Sequence, residues 1–299
     1  WLGESLRAMN LNQYSQSAAQ PGIAVEVIGN LEVFVPALYE QRRIASALSG
    51  MTASIDALLV EKQRQLELLA EKRRALITSA VTQGVNAEAP RRDSGIAWLG
   101  EIPAHWQIER TKWLFAERDE RSEMGDEELL SVSHLTGVTR RADKDVNMFM
   151  AETLEGYKRC EAGDLVINTL WAWMGAMGVA RLPGIVSPAY NVYQPVKTVD
   201  PNYLDLLVRT TRFVEEVTRY SKGVWSSRLR LYPEGLYEAW LPVPPKDEQQ
   251  AIAAYAVVEI GKIDTLVEAT ERTIALLQER RTALIAEAVT GGLETRNAN

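Results

Sequence analysis

The sequence predicts an α/β (α+β) domain combined with two long helices that pair as a coiled coil, and an internal repeat is the main reason. At a constant offset of 208 and without a gap, 20 of the 49 positions in residues 36–84 are identical to residues 244–292. Both copies share Pro-x-x-x-Glu-Gln near the start and Ala-Val-Thr at matching distance near the end. An amphipathic rhythm alone would not reproduce these spacings, so the repeat is a true duplication. Between the copies, short strand-like runs and one helical run predict the mixed domain.

Each copy is predicted to be one long helix. Pro36 and Pro244 stand at its start, where a missing N–H does no harm, and acidic residues follow on the side that the helix dipole favours. About 40–45 helical residues give a rod of roughly 60 Å. Its apolar stripe needs a second long helix, and the other copy is the natural partner. The residues predicted to pair are Ile55, Leu58, Leu69, Leu76, Ile263, Leu266, Leu277 and Leu284.

The repeats divide the chain into six segments. They are residues 1–35, the end of an incomplete domain; residues 36–84, the first helix; residues 85–97, a polar linker; residues 98–243, a complete domain; residues 244–292, the second helix; and residues 293–299, a tail. The complete domain opens with WLGEIPAHW, whose apolar side chains are predicted to form a fixed anchor. Its predicted strands are Leu129–Val132, Asp164–Asn168, Gly178–Arg181 and Tyr190–Pro195, and its predicted helix is Tyr203–Tyr220.

Composition limits the class of protein. The chain has 299 residues, 46% of them hydrophobic, with a net charge of −7 and a pI near 5.2, which gives no sign of a basic tail. The lone Cys160 excludes an intramolecular disulfide and suits a reducing compartment. No apolar run near 18 residues and no signal peptide are apparent, so we expect a soluble, cytoplasmic protein without a membrane partner. Because the chain starts at Trp1 inside what resembles the end of a domain, we expect a fragment.

Several motifs carry a resemblance to a known family. They are the PxxxEQ…ID…ExRxALIxxAVTxG helix and, in the complete domain, GEIPAHW, LSVSHLTGV, GDLVINTLWAWMGAMG and VSPAY. Together they resemble the specificity (S) subunit of type I restriction–modification systems, an HsdS-like chain. In that family two target-recognition domains each read half of a split DNA site, and two conserved helices set the gap between them. Residues 1–35 match only the C-terminal remnant of a first recognition domain, so residues 98–243 are the single complete target-recognition domain.

The resemblance also implies partners and cofactors. It implies a non-catalytic subunit that binds double-stranded DNA and directs modification (methyltransferase) subunits and, in the full complex, the restriction subunit to a target site. S-adenosylmethionine, ATP and Mg²⁺ are then expected only in partner subunits, and none in this chain. Self-association could replace the missing first recognition domain.

The candidate DNA-binding residues fall in three stretches. Phosphate contacts need cations, hydroxyls and flexible backbone, and the stretch Ser221–Arg230 combines all three. We assign Lys222 to phosphate, because an ammonium is a point charge, and Arg228 to base readout. The alternative for each stretch is a solvated face or a packed strand-turn. The full set is Lys222, Trp225, Ser226, Ser227, Arg228 and Arg230; Ser133, His134, Thr139, Arg140 and Arg141; and Asn168 and Thr169.

Other functions have weaker support. Ser187-Pro188-Ala189-Tyr190 resembles the loop of DNA amino-methyltransferases only faintly, and no Gly-rich cofactor loop follows a strand. His105 and His134 are the only histidines, without neighbouring Cys ligands, so no metal site and no catalytic residue are predicted. A coiled-coil scaffold without DNA readout remains the alternative from another class, and a DNA amino-methyltransferase is the less favoured one.

Overall fold

In a computed structural model of the protein, the residues described are 1–9, 11–15, 22–33, 35–144, 153–225 and 228–289. They form two compact units. The first comprises Trp1–Ala70 with Ile263–Asn299, and the second comprises Glu71–Lys262. Each repeat helix contributes one part to each unit. The α-helices are α1 (Leu2–Ala8), α2 (Val25–Gly29), α3 (Leu38–Gln83), α4 (Pro201–Val208), α5 (Thr211–Arg219), α6 (Pro233–Glu238) and α7 (Lys246–Val289).

The repeat helices α3 and α7 begin in the same way. The side-chain amide of Gln41 donates to the carbonyl of Pro36 at 2.8 Å, and that of Gln249 donates to Pro244 at 2.8 Å. This contact satisfies a carbonyl at the helix entry, where the backbone ladder has not yet started. It gives the shared spacing between Pro and Gln a physical reason.

In the first unit the two repeat helices pack antiparallel. Leu48 of α3 lies in one buried cluster with Ile285 and Ala288 of α7. Further along α3, the Asp56 carboxylate accepts a 2.7 Å hydrogen bond from the Arg281 guanidinium. Residue numbers rise along α3 while they fall along α7, which defines the antiparallel direction. The predicted pairing of the two long helices is confirmed.

The residues predicted to pair are buried or half-buried except at one repeated position. Ile55, Leu69 and Ile263 are buried, and Leu76, Leu277 and Leu284 are half-buried. Leu58 and Leu266, however, are 48% and 47% exposed, so their assignment to the seam is wrong. The next residue in each copy, Leu59 or Val267, is half-buried and continues the stripe four residues after Ile55 or Ile263. Two adjacent apolar residues stand at this point in both repeats, and a 3.6-residue period does not choose between them.

Helix α3 is also more apolar than expected. It contains an 18-residue stretch with a mean hydropathy of 1.3, which by length and composition alone could cross a membrane. The expectation of no such run is therefore wrong. Only 17% of this stretch is buried within the structure. A single helix of this kind is weak support for a membrane span. A helix that buries an apolar stripe against another helix can have the same composition.

The second unit is rich in short strands. Its largest sheet is antiparallel, in the order β4-β11-β8-β9, and the unit also contains four two-stranded ladders. The strands are β1 (Arg91–Asp93), β2 (Glu101–Pro103), β3 (Gln107–Arg110), β4 (Phe115–Arg118), β5 (Leu130–Ser133), β6 (Gly137–Arg140), β7 (Lys158–Cys160), β8 (Leu165–Asn168), β9 (Met177–Val179), β10 (Gly184–Val186), β11 (Tyr190–Pro195) and β12 (Trp240–Val243). The four predicted strands correspond to β5, β8, β9 and β11, each within two residues at either end. The mixed fold class is confirmed.

Two predicted segments differ in detail from the structure. The helix predicted for Tyr203–Tyr220 is divided into α4 and α5, because the Thr210 hydroxyl accepts from the amide of Phe213 at 3.3 Å and caps a new helix there. The polar linker contains β1, which pairs with β2. The side chain of Arg92 donates to the carbonyls of Ala104 and Trp106 and holds this pair in place.

The WLGEIPAHW stretch forms the predicted anchor. Trp98 packs edge-on against Phe213 with ring centroids 5.6 Å apart, and Ile102 and Trp106 are buried. The indole of Trp106 donates to the Glu248 carboxylate at 2.9 Å. In the same core, the Tyr203 hydroxyl lies 3.1 Å from the carbonyls of Val81 and Pro242. The core of this unit therefore includes the end of α3.

Candidate nucleic-acid interface

The stretch Ser221–Arg230 folds back on itself as a small hairpin. Lys222 and Arg230 exchange both backbone hydrogen bonds at 2.9 Å, and the amide of Arg228 donates to the carbonyl of Trp225 at 2.8 Å. A Cβ at Gly223 would lie 2.6 Å from the Arg228 carbonyl oxygen, so only glycine lets the two arms approach this closely. Ser226 and Ser227 lie outside the described residues.

The hairpin presents cations and an aromatic side chain to solvent. Val224 is 93% exposed and Trp225 is 69% exposed. Lys222, Arg228 and Arg230 are exposed and form no ion pair with any described residue. Cations elsewhere in this unit are often paired, for example Lys197 with Glu109. The unpaired cations of the hairpin are therefore available to a polyanion.

The base of the hairpin joins a second predicted stretch. The amide of Leu231 donates to the carbonyl of Thr169 at 3.2 Å, and the Thr169 hydroxyl donates to the carbonyl of Ala189 at 2.8 Å. Asn168 is only 6% exposed, and its side-chain oxygen accepts from the amide of Leu170 at 3.2 Å. This burial favours the structural alternative for Asn168, whereas Thr169 lies half-buried at the foot of the hairpin.

The tryptophans after Thr169 form a packed turn. Trp171 and Trp173 stack with ring centroids 6.1 Å apart, and the Trp173 indole donates to the carbonyl of Leu170 at 3.1 Å. Trp171 remains 49% exposed. Trp173 therefore fixes the turn, while Trp171 keeps an exposed aromatic face.

The third predicted stretch is the β5–β6 hairpin. At its turn, the Ser133 hydroxyl accepts from the amide of Thr136 at 3.1 Å, and His134 is exposed. His134 lines a cavity of about 550 Å³ together with Trp173 and Arg209. The hydroxyl of Thr139 is buried without a hydrogen-bond partner among the described residues, and so faces inward rather than toward a ligand.

The two arginines that end this stretch differ. Arg140 is exposed, whereas Arg141 is half-buried. Burial raises the pKa of the nearby Tyr190, and the charge of Arg141 opposes that rise. Burial, together with the charge of Arg141, lowers the pKa of the nearby Lys144. Arg141 and Lys144 therefore lie close enough for their charges to interact.

The structure also bears on the enzyme alternatives. At the tetrapeptide that resembles a methyltransferase loop, the Ser187 hydroxyl accepts from the amide of Ala189, and Tyr190 pairs with Asn168 in the sheet. The tetrapeptide is therefore built as a strand-turn. Among the described residues no group of three or more His, Cys, Asp or Glu side chains could hold a metal ion. His105 contacts Glu248 at 2.5 Å.

The geometry defines a class of protein: one that contains a duplicated pair of antiparallel helices and a strand-rich domain whose hairpin cations form no ion pair with a described residue. No protein-family model matches the chain. The chain is 22% identical, over 98% of its length and 69% of the relative, to the Type I restriction enzyme MjaVIII specificity subunit of Methanocaldococcus jannaschii. A second relative, the Type I restriction enzyme EcoprrI specificity subunit of Escherichia coli, is 48% identical over 48 residues, which are 16% of this chain and 12% of the relative.

Solved structures agree on the fold. The HsdS subunit from Thermoanaerobacter tengcongensis matches 97% of this chain and 68% of its own, with a TM-score of 0.50 and 18% identity. A chain from a study of complex assembly and conformational transition of the type I R-M system matches 97% of this chain and 69% of its own, with a TM-score of 0.59 and 19% identity. The resemblance drawn from the sequence is confirmed: the chain is similar along nearly its whole length to type I specificity subunits and has the HsdS-like fold.

Proposed function

We propose that the chain is the DNA-sequence specificity subunit, or part of one, of a type I restriction–modification complex. In this role it directs methyltransferase and restriction subunits to a target site in the cytoplasm. The similarity to named specificity subunits supports this, and the observation that carries it within the molecule is the hairpin Lys222–Arg230. Its three cations have no carboxylate partner among the described residues, although the chain as a whole is acidic.

Phosphate contact and base readout need different chemistry, and the hairpin offers both. A Lys that neutralises one phosphate contributes equally to every sequence and adds about one unit to the salt slope of log K. An Arg fork can bond both major-groove acceptors of guanine and discriminate by roughly 1–3 kcal/mol against another base. We assign Lys222 to the first role and Arg228 to the second.

The test is DNA binding by the complex of this chain with its modification subunits. A randomised duplex library first identifies the preferred sequence, and binding of Lys222→Ala and Arg228→Ala is then measured on that sequence and on single-base variants at several salt concentrations. We expect Lys222→Ala to weaken all duplexes alike and reduce the salt slope by about one unit. We expect Arg228→Ala to lose roughly 1–3 kcal/mol on the preferred sequence only.

The matched control is Lys72→Ala, which removes an exposed cation on α3 outside the hairpin. It should leave the DNA affinity and the salt slope unchanged. If both hairpin variants behave like this control, the hairpin does not contact DNA, and Arg140 with Arg141 becomes the next candidate. If the wild-type complex shows no sequence preference at all, the scaffold alternative replaces the proposed function.

The chain itself is proposed to be non-catalytic, with S-adenosylmethionine, ATP and Mg²⁺ bound by the partner subunits. The strand-turn geometry of Ser187–Tyr190 supports this, since its polar groups bond within the chain. Calorimetry with S-adenosylmethionine and the isolated chain should show no saturable heat. Binding that disappears in Tyr190→Ala would instead support the methyltransferase alternative.

A further inference from the structure

The cationic hairpin also carries two adjacent apolar side chains, Val224 and Trp225. Val224, at 93% exposure, is the most exposed large apolar side chain in the described part of the chain, and Trp225 is 69% exposed. Isolated apolar side chains are common at protein surfaces and need no explanation. Here two of them stand together between Lys222 and Arg228, cations that form no ion pair with any described residue.

Trp225 differs from the other exposed tryptophans of this unit. Trp113 is 59% exposed, and the ammonium of Lys112 lies over its ring, 4.8 Å from the centroid. Trp171 is 49% exposed and stacks on Trp173. Among the described residues, no aromatic ring and no cation packs against the ring of Trp225. Trp225 is therefore mostly accessible to a planar ring of another molecule.

The backbone that carries these two side chains is anchored in the core of the unit. Before the hairpin, the Ser221 hydroxyl donates to the carbonyl of Val217 at 2.9 Å. After it, the amide of Leu231 donates to the carbonyl of Thr169 at 3.2 Å. Val217 and Leu231 are buried, with at most 1% exposure. Because both arms are fixed in this way, a load on the exposed side chains is carried by the core.

We propose that Val224 and Trp225 form an apolar wedge that enters bound duplex DNA at one base-pair step and unstacks it. This inference rests on the proposed function, because it needs the hairpin to lie on DNA. The neighbouring cations attract phosphates, whereas the two apolar side chains lose contact with water only between bases. Proteins that bend DNA insert apolar side chains between base steps in this manner. An indole can in addition stack on the π-face of a base.

The wedge adds a second source of sequence preference. Pyrimidine–purine steps, TA and CA/TG, are the easiest to unstack, so the preferred sequence should contain one of them beside the guanine read by Arg228. This preference depends on DNA deformability and needs no hydrogen bond to a base edge. A protein partner fits the wedge less well, because a stable protein interface buries about 800 Å² on each side and Val224 and Trp225 are only two side chains.

The test uses the complex with the modification subunits and the preferred duplex. Energy transfer between dyes on the duplex ends reports bending, and permanganate oxidation of the thymine of the step reports unstacking. Trp225→Ala should reduce both signals and weaken binding at least fivefold, with the salt slope of log K unchanged because no phosphate contact is lost. Trp225→Phe should retain most of the bend. The matched control is Trp113→Ala, which removes an exposed tryptophan outside the hairpin and should behave like the wild type.

Methyltransferases can themselves extrude a base, so only the signal that Trp225→Ala removes is assigned to the wedge. Equal bending and equal oxidation with the wild type and Trp225→Ala would overturn the wedge. So would unchanged wild-type affinity when the step is replaced by a stiff A-tract step. Loss of the modification subunits from the Trp225→Ala complex in size-exclusion chromatography would identify a protein contact instead. In all three cases the wild type keeps its sequence preference and the proposed function stands, whereas a wild type without any preference removes both.

Discussion

The pairing of the repeat helices can be tested at two neighbouring residues, Ile55 and Leu58. Both are apolar, both lie on α3, and both are repeated in α7 as Ile263 and Leu266. Periodicity alone would place all four in the seam. The structure separates them, because Ile55 and Ile263 are 6% and 4% exposed while Leu58 and Leu266 are nearly half exposed.

The magnitude follows from burial. Truncation of a buried Ile to Ala removes transfer free energy and leaves a cavity, together about 2–5 kcal/mol. A seam between two helices can partly collapse around the gap, so we expect the lower part of that range, about 2–3 kcal/mol, for Ile55→Ala. Leu58→Ala loses little buried area and gains slightly in helix propensity, so its effect should stay within about 0.5 kcal/mol.

The measurement is urea and thermal unfolding followed by far-UV circular dichroism. For a chain of this size, about 2–3 kcal/mol corresponds to a fall in Tm of roughly 5–10 °C. Ile263→Ala and Leu266→Ala should reproduce the same contrast in the other copy. If Leu58→Ala destabilises the protein as much as Ile55→Ala does, the stripe runs through a different face and the helix pairing described above is incorrect.

Two further predictions concern single residues. Gly223→Ala should reduce DNA affinity at least tenfold while changing the melting temperature by no more than roughly 2–4 °C, because a Cβ there meets the Arg228 carbonyl and opens an exposed hairpin. The control is Gly50→Ala in α3, where a Cβ meets open space, and this variant should instead stabilise the chain by about 0.5–1 kcal/mol. Equal behaviour of the two variants in unfolding and filter-binding assays would contradict the hairpin geometry. Burial raises the pKa of the Cys160 thiol to about 12, so iodoacetamide should fail to label it at pH 8 in the native chain and should label it after unfolding in urea; rapid native labelling, read by mass spectrometry, would show an exposed thiolate.

Local patterns predicted most of the architecture. The offset of the duplication identified both long helices, and short strand-like runs identified four strands of the second unit. Tertiary contacts decided the rest. Leu58 and Leu59 are the same residue type, so the sequence does not distinguish them. The facing helix determines which of the two is buried. The break between α4 and α5 depends on a single hydroxyl, that of Thr210, which propensity does not distinguish from a helical threonine.

The candidate site was predicted less completely, for a physical reason. Residue type indicated that Lys222 and Arg228 could bind phosphate or a base edge, but whether a cation is free depends on its neighbours in space. Asn168 has the donors and acceptors of a base-reading residue, yet its side chain bonds the turn that follows β8. The hydrogen bond between Trp106 and Glu248 joins residues that are 142 apart in sequence, and no local sequence pattern predicts it.

The acidic balance of the chain and its proposed role in DNA binding are compatible once pairing is considered. A net charge of −7 counts every side chain equally. Within the second unit, cations such as Arg118 and Arg159 are bonded to carboxylates, which lowers their capacity to attract a polyanion. The hairpin cations lack such partners among the described residues and stand on a protruding, solvent-exposed segment. Fields at a surface fall off within about 8–10 Å at physiological salt, so a phosphate at the hairpin responds to these local charges rather than to the distant net charge.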